Sequence, residues 1–466
     1  MSSKTKVINK KGPEDYLDSL SKFLTEKRKP QNHYPKPTKS IKDWLKEWDF
    51  DKAKIDIYTH QIHKYPAMFI PQLIRKLIIE YSNEDDLVMD IFNGSGTTSV
   101  ECLLTNRKSI GIELNPLAFQ ISKVKTTVID VKKLTAAYES LLNHYFNNRI
   151  SKPKYFDAID VWFTDSSKKY LTHLLKCIDK EPDENIKNVF RVSFSDIIRY
   201  VSLVRHNGFK LHRDPKKFDL KWEKTSLFEL FHKSFCKSYC ALIDLKNDTK
   251  SSETIIHNRD STIFHKEFEN SIDLIITSPP YGDSSTTVAY GQFSRLSSQW
   301  LGFLDKNERG FVRNIDNEML GGTTKGVNLD DEILERSITL KSTLIAFNYL
   351  INNADSEKSK KLTKRAKDVI SFYIDLEKTI INASKYLKSE KYFILITGSR
   401  VVKEIKLNTD LIIAELGENY GFLLDAILYR KTIPNKRMPK KVSATNVIGE
   451  KAPTMSKESI IILRKR

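Results

Sequence analysis

The feature that most constrains this chain is a short apolar segment that runs into two prolines. Residues 274–276 (Leu-Ile-Ile) predict a buried strand, since short apolar runs bounded by turn residues are typical of such strands. Pro279 and Pro280 fix φ and remove two backbone donors, so the strand ends there. The turn leaves the Ser278 hydroxyl, backbone carbonyls and the Tyr281 ring available to a ligand with an amino group and a flat ring. On its own, an ordinary Pro-Pro turn explains the stretch equally well.

A second, independent signal lies upstream around two glycines. Residues 87–92 predict a buried strand, which runs into Asn-Gly-Ser-Gly-Thr-Thr and then into a helix, residues 99–106. Gly94 and Gly96 let the backbone approach a ligand closely, and the helix start offers free N–H donors to a carboxylate or phosphate. Glu113 ends the next strand, where an acid binds two ribose hydroxyls. The series indicates a βαβ unit that binds a nucleoside cofactor.

Length and composition bound the class of protein. The 466 residues are 40% hydrophobic and 29% charged, as in globular proteins, and suffice for two or three domains or one domain with large insertions. No apolar run approaches the roughly 20 residues of a membrane span. Residues 1–6 lead into no apolar segment. We therefore expect no membrane contact, no signal peptide and a cytoplasmic location.

The net charge of +18 favours a polyanion as partner, and nucleic acid comes first among polyanions. A coding sequence biased towards Lys, Ile and Asn codons is the alternative explanation of this charge.

The cysteines are scattered along the chain, and only Cys236 and Cys240 lie close together. No second Cys or His pair follows at zinc-like spacing. We therefore expect reduced thiols throughout and no metal site.

The chain divides into six predicted segments. Residues 1–50 are polar and predict a loosely packed basic extension, and residues 51–130 contain the glycine turn. Apolar residues at helical spacing, over 170–178, 189–204 and 227–246, predict an inserted helical subdomain at 131–250. The remaining segments are 251–303 with the Pro-Pro turn and a polar loop at 282–300, a variable insertion at 304–366 that carries a charge run, and 367–466 with further strands and helices.

These motifs resemble those of the amino-methylating DNA methyltransferases. Residues 90–98 (Asp-Ile-Phe-Asn-Gly-Ser-Gly-Thr-Thr) look like the cofactor loop of that family, and residues 277–281 (Thr-Ser-Pro-Pro-Tyr) look like its catalytic loop. Residues 65–71 resemble the segment that closes over the methionine end of the cofactor. Residues 430–439 resemble the C-terminal part of some cytosine-N4 methylases. The resemblance implies a Rossmann-like methyltransferase fold of the α/β class, with a mostly parallel seven-stranded sheet, and S-adenosylmethionine as methyl donor.

The resemblance also implies roles for particular residues. The methionine side of the cofactor would be bound by Pro66, Asp90, Phe92, Gly94, Gly96 and Thr97. Glu113 would bind the ribose, and Asp260, at the end of its own strand, would bind the adenine amino group. The catalytic loop, which would hold the target base, consists of Ser278, Pro279, Pro280 and Tyr281.

The predicted reaction is direct methyl transfer to an exocyclic amino group of a base flipped out of duplex DNA. Methylation at cytosine C5 needs a cysteine nucleophile, usually after proline, and the sequence has no Pro-Cys pair. In the family, Ser at the first position of the catalytic loop is typical of cytosine N4, and Asp or Asn of adenine N6. Ser278 therefore favours cytosine N4. The alternatives are an adenine-N6 methylase, an RNA guanine methylase and a methyltransferase-like subunit that only binds DNA.

Double-stranded DNA is the expected partner. Target recognition is expected in residues 131–250, 283–300 or 304–366, and Arg295, Lys436 and Arg437 are candidate DNA contacts. The family implies a restriction-modification system, in which a restriction endonuclease acts on the same site without forming a stable complex with this chain.

Overall fold

The computed structural model describes residues 12–27, 48, 50, 53–205, 208–250, 252–282, 287–303, 311–398, 400–431, 441–443, 451–453 and 457–466. Two of the predicted DNA contacts, Lys436 and Arg437, lie outside the described residues.

A twisted α/β sheet forms the centre of the fold. The strands, numbered in chain order, are β1 Leu87–Asp90, β2 Lys108–Ile112, β3 Thr254–His257, β4 Ile272–Thr277, β5 Leu387–Gly398, β6 Arg400–Val402, β7 Ile405–Leu407, β8 Phe422–Lys431, β9 Lys441–Ser443, β10 Lys451–Pro453 and β11 Lys457–Lys465. Seven of them form one sheet in the order β3-β2-β1-β4-β5-β11-β8. Neighbours from β3 to β5 are parallel, and β11 is antiparallel to both β5 and β8. The prediction of a mostly parallel seven-stranded sheet is confirmed.

The central strands β1 and β4 are buried on both faces of the sheet, which explains why they read as continuous apolar runs. Successive side chains point to opposite faces. Val88 and Leu274 pack on one face with helix residues 73–78, whereas Met89 and Ile275 pack on the other with residues from the helices that follow position 333. The central strands β1 and β4 therefore have no face in contact with solvent.

Helices surround the sheet and form a separate layer beside it. They are α1 Pro13–Lys27, α2 Pro71–Tyr81, α3 Thr97–Leu104, α4 Pro116–Thr126, α5 Val131–Asn147, α6 Ile159–Trp162, α7 Asp165–Ile178, α8 Glu184–Val201, α9 Lys224–Asp248, α10 Tyr290–Leu301, α11 Phe311–Glu318, α12 Ile333–Arg336, α13 Ile338–Asn352, α14 Ser356–Tyr386 and α15 Thr409–Asn419. Within the described part of the chain, no helix is long and apolar enough to cross a membrane.

The helical layer lies between β2 and β3 in the sequence and has its own apolar core, which α5, α7, α8 and α9 share with α1, α4 and α10. Its helices begin several residues earlier than their apolar periodicity suggests. Thr164 caps α7, Asp183 caps α8, and Glu223 forms a capping box at the start of α9. Polar first turns carry no apolar pattern, so periodicity alone places the helix starts too late.

Three segments differ from the sequence-based expectation. The predicted loosely packed extension contains α1, whose Tyr16 and Leu20 are buried. The predicted polar loop at 282–300 contains α10, whose buried face is made largely of Gly and Ser residues that hide a helical pattern. The charge run at 357–367 forms the first turns of the 31-residue helix α14, which Asp355 caps.

The order of the strands determines where a ligand can bind. The chain passes from β1 to β2 on one side and returns to β4 on the other side of β1. Such a reversal opens a crevice at the carboxyl ends of the two strands, which is the usual ligand site of parallel α/β sheets. Both sequence motifs follow these two strand ends.

We expect Tyr16→Ala to lower the free energy of unfolding by about 3–5 kcal/mol, the usual cost of removing a buried aromatic ring. The Tyr16 ring is 1% exposed and contacts the rings of Phe146 and Phe228, with centroids 5.6 Å and 5.1 Å away. Urea denaturation measures the effect. The matched control is Tyr155→Ala, because Tyr155 is 78% exposed and its loss should cost less than about 0.5 kcal/mol. Equal stability of the two variants would show that α1 is not part of the core.

Candidate active site

A cavity of about 1170 Å³, including its solvent-open mouth, lies at the carboxyl ends of β1 and β4. Both predicted motifs contribute to its walls. The predicted site residues that line it are Pro66, Phe92, Gly94, Thr97, Glu113, Asp260, Ser278, Pro279, Pro280 and Tyr281. Residues from two distant parts of the sequence therefore meet in one cavity.

The buried carboxylate of Asp90 joins the loop after β1 to the end of β4. Its Oδ1 accepts hydrogen bonds from the Thr277 hydroxyl at 2.6 Å and from the Phe92 N–H at 3.0 Å. Its Oδ2 accepts from the Thr98 hydroxyl at 2.7 Å, at the start of α3. Burial raises the pKa of Asp90 to about 6, while these hydrogen bonds favour the ionised form. Asp90 does not line the cavity, so in this geometry it aligns the two loops from behind the cavity wall.

The glycine turn packs too tightly for side chains at its second glycine. Gly96 has φ of +85°, and a Cβ there would lie 2.4 Å from the Ser122 Oγ on α4. Gly96 therefore does not line the cavity but lets α3 approach α4. The Asn93 side chain holds the turn against α3 and α4. It donates to Ser122 Oγ at 2.6 Å and accepts from the Ser99 hydroxyl at 2.8 Å.

The Glu113 carboxylate lies in the cavity wall beside the glycine turn. Its two oxygens accept hydrogen bonds from the backbone N–H groups of Gly94 and Asn115, each at 2.7 Å. Desolvation raises the pKa of Glu113 to about 7 in spite of these two bonds. An ionised carboxylate has about four acceptor positions, so two are left for a diol that enters the cavity.

Asp260 also lines the cavity. Its Oδ1 accepts from the backbone N–H and the hydroxyl of Thr262, both at 2.8 Å. These bonds fix the carboxylate and leave its second oxygen as an acceptor for a donor such as an amino group.

The catalytic-loop tyrosine is fixed by residues that the sequence analysis missed. The Tyr281 hydroxyl donates to the Glu458 carboxylate at 3.4 Å and also hydrogen-bonds with the Ser278 side chain. Arg430, on the neighbouring strand, is paired with Glu458 at 3.1 Å, and both side chains are buried. The hydroxyl of Tyr281 is thus tied to the last strands of the sheet. No local motif marks Glu458, because β11 joins the sheet from the far end of the chain.

Aromatic rings form a further wall of the cavity. Tyr290, at the start of α10, stacks on Tyr65 with centroids 6.0 Å apart, and Phe293 packs edge-on against Tyr65 at 5.7 Å. Residues 318–320, from the predicted variable insertion, also line the cavity. Tyr290 and Phe293 were not among the predicted site residues, since α10 was expected to be a loop.

Arg295 lies on α10 and does not line the cavity. Its side chain is half-buried. The structure therefore does not bring this predicted DNA contact together with the catalytic loop.

The sheet order and the cavity define a Rossmann-like methyltransferase. Residues 3–124 match the family model described as DNA methylase of the N6/N4 type. The chain is 37% identical over 457 residues to Type II methyltransferase M.MvaI of Kocuria varians, covering 94% of this chain and 97% of that protein. It is 23% identical over 404 residues to Type II methyltransferase M.AvaI of Anabaena variabilis, covering 79% and 80% of the two chains. A shorter match, 35% identical over 68 residues, covers 15% of this chain and 22% of the DNA adenine methyltransferase YhdJ of Escherichia coli (strain K12).

This chain belongs to the restriction-modification DNA methyltransferases of the N4/N6 type. It acts on DNA and takes its methyl group from S-adenosylmethionine. The cavity fits that donor chemically, since it offers a carboxylate with two spare acceptor positions, a second acceptor at Asp260 and apolar surfaces such as Phe92 and Met68.

We expect Glu113→Gln to change how stability depends on pH. The raised pKa of Glu113 means that folding favours its protonated form, so the wild type loses stability as pH rises from about 4.5 through about 7. Gln does not titrate, so the variant lacks this loss. The unfolding free energy of the variant minus that of the wild type should therefore increase as pH rises over this range. Chemical denaturation at several pH values from 5 to 8 measures the difference. A difference that does not vary with pH would contradict the desolvated state of Glu113.

Proposed function

We propose that this chain methylates the exocyclic N4 amino group of cytosine in duplex DNA. The observation that carries the proposal is the position of Ser278. This residue lines the same cavity as the glycine turn, and its side chain lies beside that of Tyr281. A hydroxyl has a shorter reach than the Asp or Asn typical of adenine-N6 methylases in this family, and it suits a base that approaches closely.

The positions of the cysteines support an amino target rather than cytosine C5. All four cysteines are buried and free, and none of them lines the cavity. A thiolate for covalent attack on C6 of cytosine is therefore missing from the site. The reaction we propose needs no covalent enzyme intermediate.

The chain's residues would act mainly by positioning. Bound S-adenosylmethionine supplies an electrophilic methyl group on its sulfonium. The Ser278 hydroxyl and the Pro279 carbonyl would accept hydrogen bonds from the amino group of the base, which draws its nitrogen towards tetrahedral geometry. The lone pair, otherwise delocalised into the ring, would then point at the methyl carbon. As the nitrogen–carbon bond forms, the carbon–sulfur bond would break with the thioether as leaving group, and the surplus proton of the nitrogen would pass to solvent along its hydrogen bond to the Ser278 oxygen. The hydrogen bonds of Asp90 to Phe92 and Thr277 would hold these two acceptors, on Ser278 and Pro279, at a fixed distance from the glycine turn.

The experiment that tests the proposal is incubation with labelled S-adenosylmethionine and mixed-sequence duplex DNA, followed by digestion to nucleosides. Label in N4-methylcytosine is the expected result. Label in N6-methyladenine would overturn the reading of Ser278. Label in RNA alone would favour the RNA guanine alternative, and no label together with DNA binding would favour a DNA-binding subunit.

We expect Tyr281→Ala to reduce kcat/KM for duplex DNA by about 10- to 100-fold, because base–aromatic stacking contributes about 1–3 kcal/mol per base. Tyr281→Phe is the matched control: it keeps the ring, loses the hydroxyl contacts with Glu458 and Ser278 and should retain most activity. S-adenosylhomocysteine should bind both variants as tightly as the wild type, as isothermal titration can show. If Tyr281→Ala lowered the affinity for S-adenosylhomocysteine by the same factor as kcat/KM for DNA, a role in base stacking would be contradicted.

The DNA-facing surface we propose consists of residues 203–205 and 208–214, called here the basic hairpin. Arg205 N–H donates to the His212 carbonyl at 2.9 Å, and Val204 pairs antiparallel with Arg213. Arg205, Arg213 and the following Lys216 are exposed and form no salt bridge within the described chain. An exposed cluster of unpaired cations suits phosphate contacts.

The basic hairpin lies next to the aromatic wall of the cavity. Its Leu211 N–H donates to the Gln292 side chain of α10 at 3.3 Å, and its Phe209 ring contacts Phe293 with centroids 6.4 Å apart. Phe293 in turn packs on Tyr65 of the cavity wall. Duplex DNA held by the hairpin would therefore present a base near the catalytic loop, and the helical layer would provide target recognition.

We expect the triple variant Arg205→Gln, Arg213→Gln, Lys216→Gln to bind mixed-sequence duplex about 10- to 100-fold more weakly at 0.1 M salt. The slope of log affinity against log salt should become shallower by about 2–3, close to one unit per lost phosphate contact. Fluorescence anisotropy measures both quantities.

The matched control removes three exposed lysines from the other end of the 25-residue helix α9 and from the adjoining start of α5, namely Lys132, Lys133 and Lys246. That helix is about 37 Å long. The control should change DNA affinity by less than twofold. A similar loss in both triple variants would show that net charge alone drives binding.

We further propose a cognate restriction endonuclease as the functional partner. It would read the same DNA site and would form no stable complex with this chain. The Type II relatives support this proposal.

A further inference from the structure

Lys125, near the end of α4, is fully buried and has no anion to balance its charge. Its Nζ donates to the Ser95 hydroxyl oxygen at 3.2 Å and contacts the Met68 sulfur at 3.8 Å. Among the described residues, no carboxylate forms a salt bridge with it. An ammonium removed from water without a charged partner costs several kcal/mol, so its presence calls for an explanation.

The charged groups around Lys125 do not supply the missing anion. Lys237 lies close enough to lower the pKa of Lys125, though burial is the main cause, and the pKa falls to about 7. Lys237 itself is paired with Asp196 at 2.8 Å. The buried Glu101 carboxylate binds Arg75 at 2.6 Å and the His60 ring at 2.8 Å, which uses both of its oxygens. The charged groups near Lys125 therefore form pairs with one another, and they leave no carboxylate for the ammonium.

The two atoms that Lys125 contacts belong to residues of the cavity wall. Ser95 comes from the glycine turn, and Met68 from the segment that precedes α2. Because the ammonium donates to Ser95 Oγ, the hydroxyl hydrogen of Ser95 must point away from Lys125. Within the described chain that hydrogen has no acceptor, so a ligand in the cavity can receive it.

We propose that Lys125 is a positioning residue that recognises the carboxylate of the methionine end of S-adenosylmethionine, acting through the Ser95 hydroxyl. This inference rests on the assignment of the glycine turn to the methionine side of the cofactor. The ammonium supplies the positive charge, and Ser95 supplies the hydrogen bond across the cavity wall. Binding of the carboxylate then favours the charged form of Lys125, which burial disfavours in the free protein.

The test compares two ligands that differ by one carboxylate. S-adenosylhomocysteine carries it, and S-adenosyl-3-thiopropylamine is the same molecule without it. Isothermal titration of Lys125→Met should show S-adenosylhomocysteine binding at least 10-fold more weakly than to the wild type, with the second ligand changed by less than twofold. Ser95→Ala should also weaken S-adenosylhomocysteine more than the ligand without the carboxylate, but by a smaller factor than Lys125→Met. Lys123→Met, an exposed lysine on the same helix, is the matched control and should change neither affinity.

A structural role for Lys125 predicts different results. If Lys125→Met weakens both ligands equally, or neither, the proposal is overturned. Thermal unfolding without ligand gives a second criterion, because removal of an unbalanced buried charge should leave the melting temperature unchanged or raised. A lower melting temperature with equal loss of both ligands would indicate a packing role. Lys125→Gln, which keeps a donor without the charge, provides the same comparison if the Met variant folds poorly. Failure of the wild type to bind either ligand would instead contradict the cofactor site itself.

Discussion

The site depends on the carboxylate of Asp90, which holds two loops from distant parts of the chain in one arrangement. Residues 90 and 277 lie far apart in sequence, and the 2.6 Å bond between their side chains joins the ends of β1 and β4. The same carboxylate bonds the first turn of α3 through Thr98. Without this bridge, the glycine turn and the catalytic loop would still follow their strands, but the contact from the Phe92 N–H to the Thr277 hydroxyl, at 3.1 Å, would lose the carboxylate that orients both groups.

The bridge works because the sheet brings these strands together. Parallel pairing of Val88 with Leu274 places both carboxyl ends at one edge, and the reversal of strand order opens a crevice there. Burial of β1 and β4 on both faces makes their register specific, since a shift by one residue would move every side chain to the opposite face, where it would meet different packing partners. The helical layer then closes one side of the crevice with α10 and the basic hairpin. The cavity, the catalytic loop and the surface proposed to bind DNA are therefore all attached to the same sheet and helical layer.

Local sequence carries the motifs but not the contacts that connect them. Gly94, Glu113 and Ser278 could be predicted because each follows a buried strand, and strand ends of a parallel sheet meet at one edge. The role of Asp90 behind the wall could not, since its partners come from a remote strand. Glu458 reaches Tyr281 only through the antiparallel strand β11, and Tyr290 belongs to a helix whose buried face is made of small residues. Lys125 looks like any lysine of a helix until the fold buries it.

The central claim is that one cavity holds the methyl donor and an extruded cytosine together, with Ser278 in contact with the amino group. The most direct measurement is a crystal structure of the protein with S-adenosylhomocysteine and a duplex that contains its methylation site. The account predicts a cytosine flipped from the duplex, stacked on Tyr281, with its N4 about 2.7–3.2 Å from the Ser278 Oγ. An adenine in that position, or a target base bound away from Ser278, would contradict it.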